Sequence, residues 1–125
     1  MKLQELIDIQ MAFDKQHGWD YSNINCEEFI ESLNKELIGL IGEVGEFSNI
    51  VKKINLYVDR FGSNEIEKQV AKHKDGLSEE LIDSMIYLFR IASMLSIDIG
   101  VSFNRKLVAN KEKYLEYELK NDESL

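Results

Sequence analysis

Four carboxylates fall in two matched pairs. Glu43 and Glu46 lie three residues apart within Glu36–Lys53, which reads ELIGLIGEVGEFSNIVKK. Glu80 and Asp83 repeat the spacing in a second strongly apolar segment. On a helix, side chains three apart project from the same side, one turn apart. Two like charges held there repel, and a cation between them turns that repulsion into binding. Either pair alone is most simply a solvated charged face. Two such pairs, each beside an apolar seam, point to a four-carboxylate cation site inside a helical protein. Oxygen-only donors favour Mg²⁺, with Mn²⁺ as a substitute, over zinc.

Other chemistries lack their residues. A di-iron carboxylate bundle needs Glu-x-x-His on two helices. The histidines, His17 and His73, do not follow a glutamate by three. The single cysteine, Cys26, allows no intramolecular disulfide. It reads as an inert thiol at a helix start in a reducing, cytoplasmic setting. Serine-nucleophile motifs and a P-loop are absent. The formal net charge of −8, with no basic stripe, argues against nucleic acid and anionic membrane as partners. An anionic ligand would need a divalent cation to bridge it to these carboxylates. No stretch approaches the roughly 18 uncharged apolar residues of a membrane span. Glu5 and Asp8 interrupt any signal-peptide core.

The elements that position these residues read as helices of one domain, residues 1–125. There is no proline and no strand pattern. A first helix is expected over 2–16, with Leu3, Leu6, Ile7 and Phe13 inward, stopped by Gly18. A connection holding Trp19 and Tyr21 follows. Asn25 and Glu28 form a capping box for a long second helix, about Cys26 to Asp59, with a possible break at Lys53–Asn55. Its seam runs through Ile30, Leu33, Leu37, Leu40, Val44, Phe47, Val51 and Ile54, and implies antiparallel or oligomeric helix packing. Its interior glycines, Gly39, Gly42 and Gly45, each cost about 1 kcal/mol against alanine, so a close approach there is expected. Phe61–Gly76 is expected to be a variable connection. The third helix is expected over Leu77–Ser96, capped by Ser78, with Glu80, Asp83, Tyr87 and Arg90 as its narrow polar line. Asp98 is expected to cap a last helix, about 99–119, with Val101, Leu107, Val108 and Leu115 inward. The tail 120–125 is expected to fray. The fold class is therefore all-α, an antiparallel four-helix-type bundle assembling through helix packing.

Gly42-Glu-Val-Gly-Glu46 followed by Glu79-Glu-Leu-Ile-Asp-Ser-Met-Ile-Tyr-Leu88 resembles the MazG-like all-α nucleoside triphosphate pyrophosphohydrolases, especially the single-domain branch that includes dCTP pyrophosphatases. Ile97-Asp98 and Lys106-Leu-Val-Ala-Asn110-Lys-Glu-Lys113-Tyr114 look like that family's final helix, and Phe13–Trp19 is similar too. The resemblance implies a homodimer or homotetramer. It also implies Mg²⁺-dependent cleavage of an NTP or dNTP to the monophosphate and pyrophosphate, as nucleotide-pool house-cleaning. Glu43, Glu46, Glu80 and Asp83 would be the catalytic and metal-binding residues, one of them orienting the attacking water. Lys106, Asn110 and Lys113 would hold phosphates. Tyr87 would contact the nucleoside, with Trp19 closing the base pocket or stapling the first helix. Lys53 stands where relatives often carry a nucleoside-pocket tryptophan. Relatives also differ at Asn49 and near Lys35, so base and sugar preference are not implied. The alternatives are a non-catalytic helical dimer with a vestigial site, and the same chemistry on another phosphate ester or a nucleoside diphosphate. On the first, Lys106 and Lys113 merely balance an acidic chain and Tyr87 is a core residue.

Overall fold

The computed structural model describes residues 1–123 and is all-α, with no strand among the described residues. Helix α1 spans Leu3–Gln16, α2 Cys26–Phe61, α3 Ile66–Met94 and α4 Ile99–Glu123. A 3-10 turn, Ser63–Glu65, lies between α2 and α3. No single helix among the described residues is long and apolar enough to cross a membrane.

Helix α2 starts where its cap is written. The Asn25 side chain accepts the Glu28 backbone N–H at 2.8 Å, and its amide donates to the Glu28 carboxylate at 3.2 Å. The first bond satisfies a backbone N–H that the first turn leaves without an intrahelical partner; the second joins the two side chains, in place of the reciprocal bond from the Asn25 backbone N–H that a capping box would have. The helix runs unbroken through Lys53–Asn55 for 36 residues. It stops at Gly62, whose φ of 104° suits glycine.

The polar stretch after Phe61 departs from expectation. Only Gly62–Glu65 is a connection; α3 begins at Ile66 and passes straight through Gly76 and Ser78. Gly76 does not stop the helix: it keeps helical backbone, beside Ile50, whose side chain a β-carbon there would meet at an ordinary contact distance of 3.4 Å. The expected third helix is thus the second part of a 29-residue helix that ends at Met94, with Leu95 and Ser96 beyond its end. Ile50 beside Gly76 and Gly39 beside Tyr87 set the antiparallel register of α2 on α3. That register brings Glu43 and Glu46 level with Glu80 and Asp83.

Helix α1 lies along α3. It turns Ile7, Gln10, Met11 and Asp14 inward, while Leu3, Leu6 and Phe13 stay exposed. The expected inward face was therefore rotated, because a buried ion pair at Asp14 sets the helix's orientation (below). Asp98 caps α4 as expected, accepting the Val101 N–H at 2.9 Å. However, α4 leaves α3 at a bend of 97°, so Val101, Leu107, Val108 and Leu115 are exposed rather than inward. The helix continues to Glu123. The fraying expected of the tail falls, for its last two residues, outside the described residues. Ile54 and Phe89 are the buried apolar residues among those described; Asp14, Glu36 and Gln69 are the buried polar ones.

Candidate metal centre

The α2–α3 register gathers three carboxylates. Glu43, Glu46 and Glu80 each present an oxygen, and these oxygens all lie within 4.8 Å of one another. Glu43 and Glu80 are half-buried and Glu46 is exposed. The Oε2 atoms of Glu43 and Glu80 are buried with no hydrogen-bond partner. A buried, unpaired carboxylate oxygen is costly unless something satisfies it. Contact with the carboxyl of Glu43, then that of Glu46, pushes the Glu80 carboxyl up to about 7, with burial and like-charge repulsion adding to the rise. The cause is the crowding of three like-charged groups, which disfavours the ionised form of Glu80. The donor set is hard oxygen only, which fits Mg²⁺ or Mn²⁺ and not zinc.

Asp83 is level with Glu43 in the register, yet its side chain is exposed and stands outside this group of three. The remaining expected residues divide between distant places. Lys53 lies on α2, about 21 Å beyond Gly39 at 1.5 Å per residue, and so far from Tyr87. Lys106, Asn110 and Lys113 lie on α4. The rise from Glu80 to Leu95 is about 22 Å, and α4 then turns away. Those three residues are therefore roughly 20 Å or more from their own chain's carboxylates.

Tyr87 and Trp19 do come together, around a group that sequence reasoning missed. The Arg90 guanidinium carbon lies 4.7 Å from the Trp19 ring centroid and 5.2 Å from that of Tyr87. Its Nε and Nη2 donate to Asp14 Oδ2 at 2.8 Å and Oδ1 at 3.0 Å, a two-point pair. Its Nη1 is 3.5 Å from Glu36 Oε2. Gln10 donates to Asp14 Oδ1 at 2.8 Å, and Tyr21 donates its hydroxyl to Glu36 Oε1. Burial and the Glu36 carboxylate raise the Tyr21 hydroxyl well above its usual range. The cluster ties α1 and the Trp19–Tyr21 connection to α2 and α3, with the exposed Trp19 ring resting against Arg90. A cavity of about 400 Å³ opens beside it, bordered by Asp14, Trp19, Tyr21 and Arg90 but by none of the four carboxylates.

The other side of Tyr87 explains one glycine. A β-carbon on residue 39 would sit 2.3 Å from Tyr87 Cε1 and 2.8 Å from its hydroxyl. Only glycine lets the ring lie this close to α2, one turn from Glu43. The one sequence signal for the missed cluster was Asp14 itself. It follows Ile7 and Gln10 at a 3-4 spacing that puts all three on one helix face.

No family model matches this chain, and no solved structure matches it. It is 34% identical over 83 residues to the "Gene 37 protein" of Mycobacterium phage L5, a match covering 66% of this chain and 66% of that protein.

Proposed function

We propose that the chain is a divalent-cation-dependent nucleoside triphosphate pyrophosphohydrolase. The observation that carries this reading is the convergence of Glu43, Glu46 and Glu80, with two buried carboxylate oxygens left unsatisfied. These residues would hold Mg²⁺, and Mg²⁺ so held would neutralise phosphate oxygens and acidify a water. The carboxylates would hold the cation and would offer the base that takes the proton of the attacking water. Water attacks the α-phosphorus, the bond to the bridging oxygen breaks, and pyrophosphate leaves with that oxygen. Tyr87, held one turn from the acidic group by Gly39 and Arg90, would contact the nucleoside.

A second reading, a non-catalytic helical module, is favoured by the distance of Lys106, Asn110 and Lys113 from the carboxylates. One experiment separates the two: pyrophosphate release from a panel of NTPs and dNTPs, in Mg²⁺ and in EDTA. Metal-dependent release, lost in Glu46→Gln with the fold retained, supports the enzyme. Silence from folded protein across the panel leaves the module.

A further inference from the structure

The buried cluster around Arg90 holds more charge than pairing requires. Asp14 alone neutralises Arg90, through two hydrogen bonds. Glu36, only 4% exposed, adds a second carboxylate. Its Oε1 accepts the Tyr21 hydroxyl, and its Oε2 is buried without a hydrogen bond. For stability alone, well-packed apolar residues of the same volume often serve as well as a buried ion cluster. What apolar packing would not supply is a fixed plane.

A guanidinium is flat, with donors along its edge and faces that lie on aromatic rings. The edge of Arg90 is held from two helices at once. Nε and Nη2 donate to Asp14 on α1, and Nη1 is 3.5 Å from Glu36 on α2. With its plane so held, the guanidinium lies over the rings of Trp19 and Tyr87. Tyr87 is also confined by the close approach of Gly39. Trp19 has its backbone N–H bonded to the Asp14 carbonyl at 2.9 Å, while its half-exposed ring rests on Arg90. A lysine could pair with Asp14, but as a point charge on a flexible stem it would not orient two rings.

We infer that Arg90 is a positioning residue for the nucleoside end of the site: held by Asp14 and Glu36, it sets the orientations of Tyr87 and Trp19, and through them the seating of the substrate's base and sugar. This rests on the nucleotide reading above. Arg90 lies ten residues beyond Glu80 on α3, about 15 Å along the helix, so it acts on neither the cation nor the phosphates. An interaction made equally with bound substrate and transition state changes KM and leaves kcat.

The experiment compares wild type, Arg90→Lys and a triple variant, Asp14→Leu with Glu36→Leu and Arg90→Met, in which apolar side chains replace the ions. In the folded variants KM for a nucleotide substrate is expected to rise about tenfold or more, with kcat within about threefold of wild type. Calorimetry in Mg²⁺ is expected to show the nucleoside monophosphate bound more weakly by the same factor, and pyrophosphate bound as before. Fluorescence anisotropy of Trp19, the single tryptophan, is expected to fall as its ring is released. An unchanged KM in a folded variant overturns the inference, and so does equal weakening of both products, the mark of a general loosening. Should the triple variant fail to fold, Arg90→Lys decides alone. A folded wild type that cleaves no nucleotide overturns the nucleotide reading and this inference with it; a wild type that cleaves nucleotides, with variants of unaltered KM, overturns the positioning role only.

Discussion

The cation binding proposed for the three carboxylates must compete with a proton. Close contact with Glu43 and Glu46 lifts the Glu80 carboxyl to about 7 from an ordinary value of 4.5. Between these two pH values the folded chain holds a proton that the unfolded chain has released. Without a cation, this group's contribution to stability is therefore greatest at acid pH. It falls as pH rises from 4.5 toward 7, and is level above that. A cation reverses the sense, because it binds the deprotonated group and expels the proton. Affinity for Mn²⁺ should be level above pH 7 and fall tenfold per unit below it, a loss of about 30-fold between pH 8 and pH 5.5 for one displaced proton. Calorimetric titration of Mn²⁺ in buffers of different ionisation enthalpy measures both the affinity and the protons released. Near pH 6 about one proton per ion is expected, and Glu80→Gln should bind weakly with a flat pH profile. Affinity that is constant or tighter at pH 5.5, or binding without proton release, would refute the reasoning.

Two further outcomes follow from the packing. Asp14→Ala leaves the buried Arg90 guanidinium with Glu36 at 3.5 Å as its ion-pair partner. The expected loss is about 3–5 kcal/mol, measured by urea unfolding at fixed protein concentration, whereas exposed Asp20→Ala should cost under about 0.5 kcal/mol. Gly39→Ala gains about 1 kcal/mol of helix propensity but drives a methyl into the ring of Tyr87. A ring stacked on Arg90 yields little, so overpacking of about 1–3 kcal/mol should match or outweigh the gain. Adding Tyr87→Leu should make Gly39→Ala stabilising, and the urea midpoints of the four proteins decide this.

Local chemistry made much of the fold readable in the sequence. Asn25 with Glu28 announces a helix start, and Asp98 announces another, because a cap is a contact between near neighbours. The Glu43/Glu46 and Glu80 spacing was legible for the same reason: helical periodicity alone places those carboxylates on one side. Gly76 misled because a glycine in a polar stretch carries the same signal whether it ends a helix or lies inside one. The Asp14–Arg90 pair was beyond reach, since its members are 76 residues apart and nothing local links them. The apolar row on α4 was legible as a face seeking cover. The sequence could not say that a 97° turn after α3 would leave that row exposed. Asp83 shows the limit of spacing: helical register brings it level with Glu43, but side-chain orientation leaves it outside the group of three.

The most direct test of the central claim is to run the nucleotide reaction in ¹⁸O-labelled water with Mg²⁺ and follow where the label goes. Attack at the α-phosphorus puts one ¹⁸O in the nucleoside monophosphate and none in pyrophosphate, with no label transferred by Glu46→Gln or Glu80→Gln. Label in pyrophosphate or inorganic phosphate, or equal turnover by the glutamine variants, would contradict a carboxylate-centred pyrophosphohydrolase.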